Sequence, residues 1–154
     1  MNNINTRIEL CRKTGGKVLD LSGLNISSLG CVRELPELEW LDCSYTQVSD
    51  LAPLSALTQL QTLYCDSTQV NDLTPLAGLA KLQWLYCRNT RVSDLAPLSA
   101  LTQLQTLDCN HTHVSDLAPL SALTQLQTLS CSKTKVKDFS PIKHLTDAGL
   151  IISK

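Results

Sequence analysis

Five cysteines recur at intervals of 22 residues, and their thiols are the first groups in this chain that could do chemistry. They are Cys43, Cys65, Cys87, Cys109 and Cys131. Such thiols can bind zinc, sense redox state or form disulfides. Zinc requires four ligands that converge in a tetrahedron, whereas equal spacing along stacked strands places thiols in a line. A packed cysteine behaves as a small hydrophobe, and burial makes its thiol inert. The spacing therefore predicts a structural ladder without a metal or other cofactor.

Histidine and threonine side chains form the two other candidate groups. His111 and His113 are alternate residues of one loop, but only Asp108 or Asp116 could join them as metal ligands, so we expect a solvated loop. A threonine follows each ladder cysteine three residues later, which indicates either a ladder of bonded hydroxyls or an exposed ice-binding face. The flanking cysteines and valines favour the bonded ladder. The chain has no glycine-rich phosphate loop, no Ser-His-Asp order and no paired buried carboxylates, so we predict no enzyme and no catalytic residue.

A repeat of 22 residues sets the elements that position these side chains. Each regular copy has the frame Leu-x-x-Leu-x-x-Leu-x-Cys-x-x-Thr-x-Val-x-Asp-(Leu or Phe)-x-Pro-(Leu or Ile). The regular copies are residues 35–56, 57–78, 79–100, 101–122 and 123–144, and residues 13–34 are a degenerate first copy. This period is typical of a solenoid, in which each copy buries its apolar side chains against its neighbours.

Each copy predicts a short strand followed by a tight turn. Leu63 and Cys65 alternate with outward neighbours, as in a half-buried strand, and successive copies of that strand would stack in parallel. Asp72 can accept a hydrogen bond from a free backbone N–H at the start of the turn. Pro75 suits the same place because it fixes φ where no donor is needed. With 22 residues per copy, we expect 3₁₀ or irregular structure there and no long helix.

The two ends of the chain depart from the repeat. Ile4, Ile8 and Cys11 share one helical face, which predicts a helix that covers the first repeat. Leu150–Ile152 predicts a last strand, or an exposed edge that allows weak self-association. We expect one domain over residues 1–154, divided into a helical cap at 1–12, the degenerate repeat at 13–34, the regular repeats at 35–144 and a half repeat or cap at 145–154.

Composition and charge exclude several classes of partner. Thirteen basic and fourteen acidic side chains give a formal net charge of −1, which does not favour nucleic acid. No stretch approaches the ~18 apolar residues that span a bilayer, so we expect no membrane partner. The first residues lack the pattern of a secretory signal, and seven cysteines without one predict reduced thiols and a cytoplasmic location. A secreted effector stays open as an alternative.

The outward strand positions carry most of the variation between copies. Four of them are aromatic, namely Trp40, Tyr64, Trp84 and Tyr86. The neighbouring polar positions are Asp42, Asp66, Arg88, Asp108 and Asn110. Exposed Trp, Tyr and Arg are frequent anchors of protein interfaces, so these nine residues form the predicted partner-binding site. The alternative is that the rings only pack on one another and stiffen the solenoid.

The repeat frame resembles that of leucine-rich-repeat proteins of the 22-residue type, such as internalins and SDS22-like proteins, over residues 16–148. The resemblance implies a mainly β, α/β solenoid that is right-handed and curved, with a parallel sheet on the concave face, 3₁₀ or irregular turns on the convex face and an N-terminal helical cap. It also implies a non-catalytic module that binds a protein or peptide. A carbohydrate-binding module, a bacterial effector and a regulatory subunit of a partner enzyme are the alternatives. An engineered consensus scaffold also stays open, although the irregular ends and the variable face argue against it.

Overall fold

In a computed structural model, which describes residues 3–154, the chain forms one parallel sheet whose strand order follows the chain. The strands are β1 (Val18–Asp20), β2 (Trp40–Asp42), β3 (Thr62–Tyr64), β4 (Trp84–Tyr86), β5 (Thr106–Asp108), β6 (Thr128–Ser130) and β7 (Ile151–Ser153). From β1 to β6, every residue pairs with the residue one repeat later. The predicted stack of short parallel strands is confirmed.

Short 3₁₀ helices form the opposite, convex side, as predicted. They span Gly30–Glu34, Ala52–Leu54, Thr74–Leu76, Ala96–Leu98, Ala118–Leu120 and Ser140–Ile142. In the third of these, Asp72 Oδ1 accepts the N–H of Thr74 at 2.8 Å, and Pro75 lies in the first turn. The first 3₁₀ helix has neither an aspartate nor a proline; there, Ser28 Oγ accepts the N–H of Gly30 at 3.2 Å.

Leucine side chains fill the interior in columns that run along the solenoid. In the second regular copy, Leu63, Cys65, Val70 and Leu76 are completely buried. Because adjacent copies are in register, each side chain packs on its own counterpart in the next copy. Burying a leucine or valine contributes about 1.5–3 kcal/mol, and a single copy without neighbours would leave this surface in water.

The N-terminal helix α1 (Ile4–Lys13) confirms the predicted cap. Asn3 Oδ1 accepts the N–H of Asn5 at 3.0 Å, which satisfies one free donor at the helix start. Ile8 and Cys11 are buried, while Leu10 is exposed.

The C-terminal end contains a short helix, α2 (Lys143–Asp147), that the sequence did not predict. After α2, Gly149 has a φ of 110°, and β7 then pairs with β6. Thr128 pairs with Ile151, so paired residues of β6 and β7 are separated by one residue more than the 22-residue repeat. The predicted last strand is confirmed, with the shift absorbed by α2 and the glycine turn. None of the helices in the described chain has the length and apolar character that crossing a bilayer requires.

Candidate functional site on the concave strand face

The outward side chains of β1 to β6 and of the residues just beyond them form the concave face. The strands place them in a first column of Val18, Trp40, Thr62, Trp84, Thr106 and Thr128, and a second column of Asp20, Asp42, Tyr64, Tyr86, Asp108 and Ser130. A third column, just after the strands, contains Ser22, Ser44, Asp66, Arg88, Asn110 and Ser132. Neighbours within a column come from adjacent strands and lie about 4.8 Å apart along the sheet.

Three of the four predicted aromatic anchors pack together. The rings of Tyr64 and Tyr86 stack with centroids 4.3 Å apart and planes within 2° of parallel. The ring of Trp40 tilts against Tyr64 at 5.6 Å and 52°. Trp84 lies apart from this stack, beside Thr62 and Thr106 in the first column. The structure therefore divides the predicted patch into a three-ring group and a separate tryptophan, all of them half-buried.

Two positions of the concave face are buried, which the sequence did not indicate. Thr62 is only 8% exposed because it lies between Trp40 and Trp84 in the first column. Ser44 is 4% exposed, and its Oγ accepts the N–H of Asp66 at 3.2 Å. These two residues support the surface around them and present little of themselves to a partner.

Backbone hydrogen bonds orient the predicted polar residues. Asp42 Oδ1 accepts the N–H of Ser44 at 2.8 Å, and Asp108 Oδ1 accepts the N–H of Asn110 at 3.0 Å. Asn110 Oδ1 in turn accepts the N–H of Ser132 at 2.6 Å. Among the ion pairs within residues 3–154, one joins Arg7 to Asp20 on β1, and none involves the concave carboxylates of β2 to β5.

Asp66 has the most perturbed carboxyl group of this face. Partial burial raises its pKa from 3.8 to about 6, and the charges of Asp108 and Asp42 add to the rise. The N–H of Arg88, which Asp66 Oδ1 accepts at 2.8 Å, and the Arg88 charge oppose the rise without cancelling it. Burial, with Tyr64 and then Asp108 nearby, also raises the pKa of the Tyr86 phenol. Negative charge is therefore costly around the stacked rings.

The cysteine ladder is buried and its thiols are held protonated. Burial raises the pKa of Cys43 and Cys109 to about 12, and it raises the pKa of Cys65 and Cys87 well above the usual value. Cys65 Sγ donates to the carbonyl of Tyr86 at 3.4 Å. No cluster of His, Cys, Asp and Glu that could hold a metal ion occurs within residues 3–154. A protonated, buried thiol is a packing group and a poor nucleophile.

The threonine column is a ladder of bonded hydroxyls. Each Oγ1 donates to the carbonyl of the cysteine three residues earlier, at 2.6–2.7 Å, in Thr46, Thr68, Thr90, Thr112 and Thr134. The first four of these threonines are at most 6% exposed. A column that is buried and bonded in this way is not a flat exposed face, which removes the ice-binding alternative.

The strand-exit loops contain a backbone feature that the sequence analysis missed. One residue per loop has a φ of 53–57°, namely Tyr45, Ser67, Asn89, His111 and Lys133. The N–H of Asn89, for example, donates to the carbonyl of Asn110 in the next copy at 2.9 Å. A signal was available, because Gly23 occupies the same position in the degenerate repeat and has a φ of 68°.

A groove beside β1 also escaped the sequence analysis. It measures about 520 Å³ and is lined by Thr6, Arg7, Leu10, Cys11, Thr14, Val18 and Asp20. Leu10 is 62% exposed and Val18 is 56% exposed. Val18 neighbours Trp40 in the first column, so the groove continues the concave face toward α1. The apolar spacing of the cap helix indicates only its buried face, so it does not predict this groove.

Comparison with known proteins gives a family and several similar structures. The family model for leucine-rich repeats in two copies matches residues 36–78, 80–122 and 102–144. Internalin C2 of Listeria monocytogenes is 35% identical with a TM-score of 0.86, over 89% of this chain and 60% of that chain. An internalin, InlF, of the same organism is 36% identical with a TM-score of 0.81, over 85% of this chain and 39% of that chain.

A further structure shares the fold at lower identity. The functional domain of InlJ from Listeria monocytogenes, described as including a cysteine ladder, is 24% identical with a TM-score of 0.69, over 89% of this chain and 28% of that chain. This chain therefore spans less than two thirds of the length of each of these structures. A search of curated protein sequences gave no match.

Proposed function

This chain belongs to the leucine-rich-repeat family, and from that premise we propose that it is a non-catalytic module that binds a protein or peptide partner on its concave face. Proteins of this family are in general binding scaffolds without catalytic activity. The fold alone does not choose the partner, because binding resides in side chains that vary on a common scaffold.

The observation that carries the proposal is the aromatic character of the concave face. The segment Ala-Pro-Leu-Ser-Ala-Leu-Thr-Gln-Leu-Gln-Thr-Leu, which runs from the convex 3₁₀ helix into the next strand, recurs unchanged at residues 52–63, 96–107 and 118–129. At the concave positions that follow this segment, Tyr64 is replaced by Asp108 and Ser130. In two other copies, Trp40 and Trp84 occupy the first column. Half-exposed rings at Trp40, Tyr64, Trp84 and Tyr86 would supply the anchors. Asp42, Asp66, Arg88, Asp108 and Asn110 would set polarity and register.

Carbohydrate binding is the second candidate. It is supported by aromatic rings beside Asp108 and Asn110, because sugar rings stack on aromatic faces while their hydroxyls bond to carboxylates and amides. The mutual stacking of Tyr64 and Tyr86 counts against it, since each ring covers one face of the other. A glycan array separates the two candidates, because only a carbohydrate-binding module is expected to bind defined glycans.

The direct test compares partner capture by the wild-type protein and by a variant that carries Trp40→Ala, Tyr64→Ala, Trp84→Ala and Tyr86→Ala. Tyr45→Asn is the matched control, because Tyr45 is an exposed aromatic in a strand-exit loop and asparagine tolerates its positive φ. Circular dichroism and thermal unfolding establish that all three proteins fold.

We expect the fourfold variant to lose at least ~30-fold in affinity for the captured partner, as truncated aromatic anchors do. The Tyr45→Asn variant should bind like the wild type. If the fourfold variant retains the partner, the rings are structural, and the proposed site is wrong.

A weak self-association through β7 is a separable part of the proposal. Ile151 on this strand is 68% exposed, and exposed apolar strand residues favour pairing with another chain. Sedimentation of the wild type should show a concentration-dependent dimer that Ile151→Lys removes. A monomer at all concentrations would overturn this part only.

A further inference from the structure

In the second column of the concave face, one carboxylate lies on each side of the two stacked tyrosines. The register places Asp42, Tyr64, Tyr86 and Asp108 side by side on β2 to β5. With about 4.8 Å between strands, the two carboxylates lie roughly 14 Å apart along the sheet, with the rings between them. Asp66 lies two residues beyond Tyr64 on the same segment and adds a third acidic side chain.

The charge of this group is poorly compensated within the protein. None of the ion pairs of residues 3–154 includes Asp42, Asp66 or Asp108. The half-buried Asp66 carboxylate is disfavoured by burial and by its two acidic neighbours, in spite of Arg88. A positive charge placed here by a partner would relieve that cost. The outer face of the Tyr86 ring would attract the same charge through its quadrupole, whereas Trp40 packs on the outer side of Tyr64.

The groove beside β1 lies at a definite distance from this acidic, aromatic group. Its exposed apolar residues, Leu10 and Val18, border the start of the first column. From β1 to β3 or β4 there are two or three strand spacings, about 10–14 Å. An extended peptide covers that distance with about three to four residues, at roughly 3.3 Å each.

We propose that the concave face binds an extended segment of a protein partner that carries an arginine or lysine and, three to four residues away, an apolar side chain. The cationic side chain docks on the tyrosine stack between Asp42, Asp66 and Asp108, and the apolar side chain fills the groove between α1 and β1. This inference rests on the proposed function and names the chemistry of its partner. Charge complementarity selects the cationic segment over an acidic one.

Small peptide probes test the inference without knowledge of the natural partner. The probe is a blocked peptide in which a leucine and an arginine are separated by about three glycines, the spacing that the strand distances imply. Its matched controls replace arginine with citrulline, which is neutral and nearly isosteric, or leucine with serine. Both orders of the two residues are tested, and binding is followed by NMR through the tyrosine ring and tryptophan indole signals.

We expect the arginine peptide to shift the ring signals of Tyr64 and Tyr86, and the citrulline peptide to bind at least about tenfold more weakly. The serine peptide should lose about threefold to tenfold, with no further loss when the protein also carries Leu10→Ser and Val18→Ser.

The protein side of the test uses Asp42→Asn, Asp66→Asn and Asp108→Asn together. Asparagine keeps an acceptor for the backbone N–H groups, so the turns are retained while the charge is removed. This variant should bind the arginine peptide about tenfold more weakly and the citrulline peptide unchanged. The matched control changes Asp72, Asp94 and Asp116 to asparagine on the convex side and should leave both affinities as in the wild type.

Two results would overturn the inference. One is equal binding of the arginine and citrulline peptides, and the other is the absence of ring-signal shifts with any peptide. Neither result bears on the fourfold aromatic variant, whose loss of a captured partner tests the proposed function by itself. A partner that is lost by the aromatic variant and retained by the asparagine variant would leave the proposed function standing and remove the cationic preference.

Discussion

The interior and the concave face are two sides of the same three-residue strands, and they obey different rules. Inward positions repeat leucine and cysteine in every regular copy, and they are almost completely buried. Outward positions on the neighbouring residues vary between Trp, Tyr, Asp, Thr and Ser. In a solenoid, an inward side chain must fit its counterparts in both adjacent copies, whereas an outward side chain need not. The inward side chains should therefore provide most of the free energy of unfolding, whereas the outward side chains of the concave face should contribute little to it or lower it.

A cavity at an inward position should give the largest effect. Leu85 is completely buried in β4, so Leu85→Ala should lower the free energy of unfolding by about 3 kcal/mol. The outward Thr106→Ala on β5 should change it by less than about 0.5 kcal/mol. Urea denaturation of both variants measures the difference. Equal losses would contradict the division between the two sides.

Alkaline pH should weaken the interior through the cysteine ladder. Folding raises the thiol pKa, so above pH ~9 the unfolded chain releases protons that the folded protein keeps, and stability falls as pH rises. Because the pKa values of Cys43 and Cys109 are raised to about 12, the loss of stability from these two thiols continues from pH ~9 to pH ~12.

The check compares urea midpoints at pH 8 and pH 10 for the wild type and for Cys43→Ala with Cys109→Ala. The variant should lose about 3 kcal/mol less than the wild type between these pH values, since each of the two thiols contributes about 1.4 kcal/mol per pH unit above its pKa in the unfolded chain. An identical loss would show that these thiols ionise freely in the folded protein.

On the concave face, removal of a charge should stabilise the protein. The raised pKa of Asp66, about 6, means that its contribution is most favourable below pH ~4 and is lost as pH rises through 6. At pH 7, Asp66→Asn should therefore increase the free energy of unfolding by about 1 kcal/mol after allowance for solvent screening, and the gain should vanish near pH 3.5.

The convex Asp72 supplies a control of opposite sign. Hydrogen bonds from Thr74 lower the pKa of this carboxyl group, so its charge is favoured by folding. Asp72→Asn should therefore give no gain at pH 7. A gain of similar size from both substitutions would point to a general effect of net charge and not to the surroundings of Asp66.

The smallest effect is expected in the strand-exit loops. Lys133 has a φ of 53°, so Lys133→Gly should relieve backbone strain. Glycine also adds conformational entropy to the unfolded chain, which offsets part of this gain. The net result should be a rise of about 0.5 kcal/mol in the free energy of unfolding. Lys135→Gly lacks the strain relief and should destabilise by a similar amount. Thermal unfolding of the two variants gives the comparison, and a loss in both would show that the loop carries no strain.

Most of the fold was predictable because two patterns are visible in the order of residue types: the 22-residue period, and the alternation of apolar inward residues with variable outward residues along each strand. The strands, the 3₁₀ turns with Asp72 and Pro75, and the cap helix all followed from these patterns. The helix α2 did not, because its residues follow the repeat frame, with Leu145 and Thr146 where an earlier copy has Leu123 and Thr124, and that copy forms no helix there.

The positive φ of the loop residues was not predictable from Tyr45, His111 or Lys133, because these residue types rarely adopt it. Glycine does indicate it, and Gly23 occupies the equivalent position of the degenerate repeat.

The candidate site was predictable as a list of residues and not as an arrangement. Period alone placed Trp40, Tyr64, Trp84 and Tyr86 on one face, but it could not indicate that three rings would pack together and one would stay apart. The burial of Thr62 also depends on the size and direction of its neighbours on two other strands.

The sequence by itself determined which side of each strand every residue occupies, because a residue's side follows from its position in a period that backbone geometry imposes. Only the tertiary structure decided how side chains from different copies meet: the tyrosine stack, the groove between α1 and β1, and the half-buried carboxylate of Asp66. These depend on rotamers and on the water that neighbouring side chains exclude, and both are properties of the packed assembly of copies, which no single repeat contains.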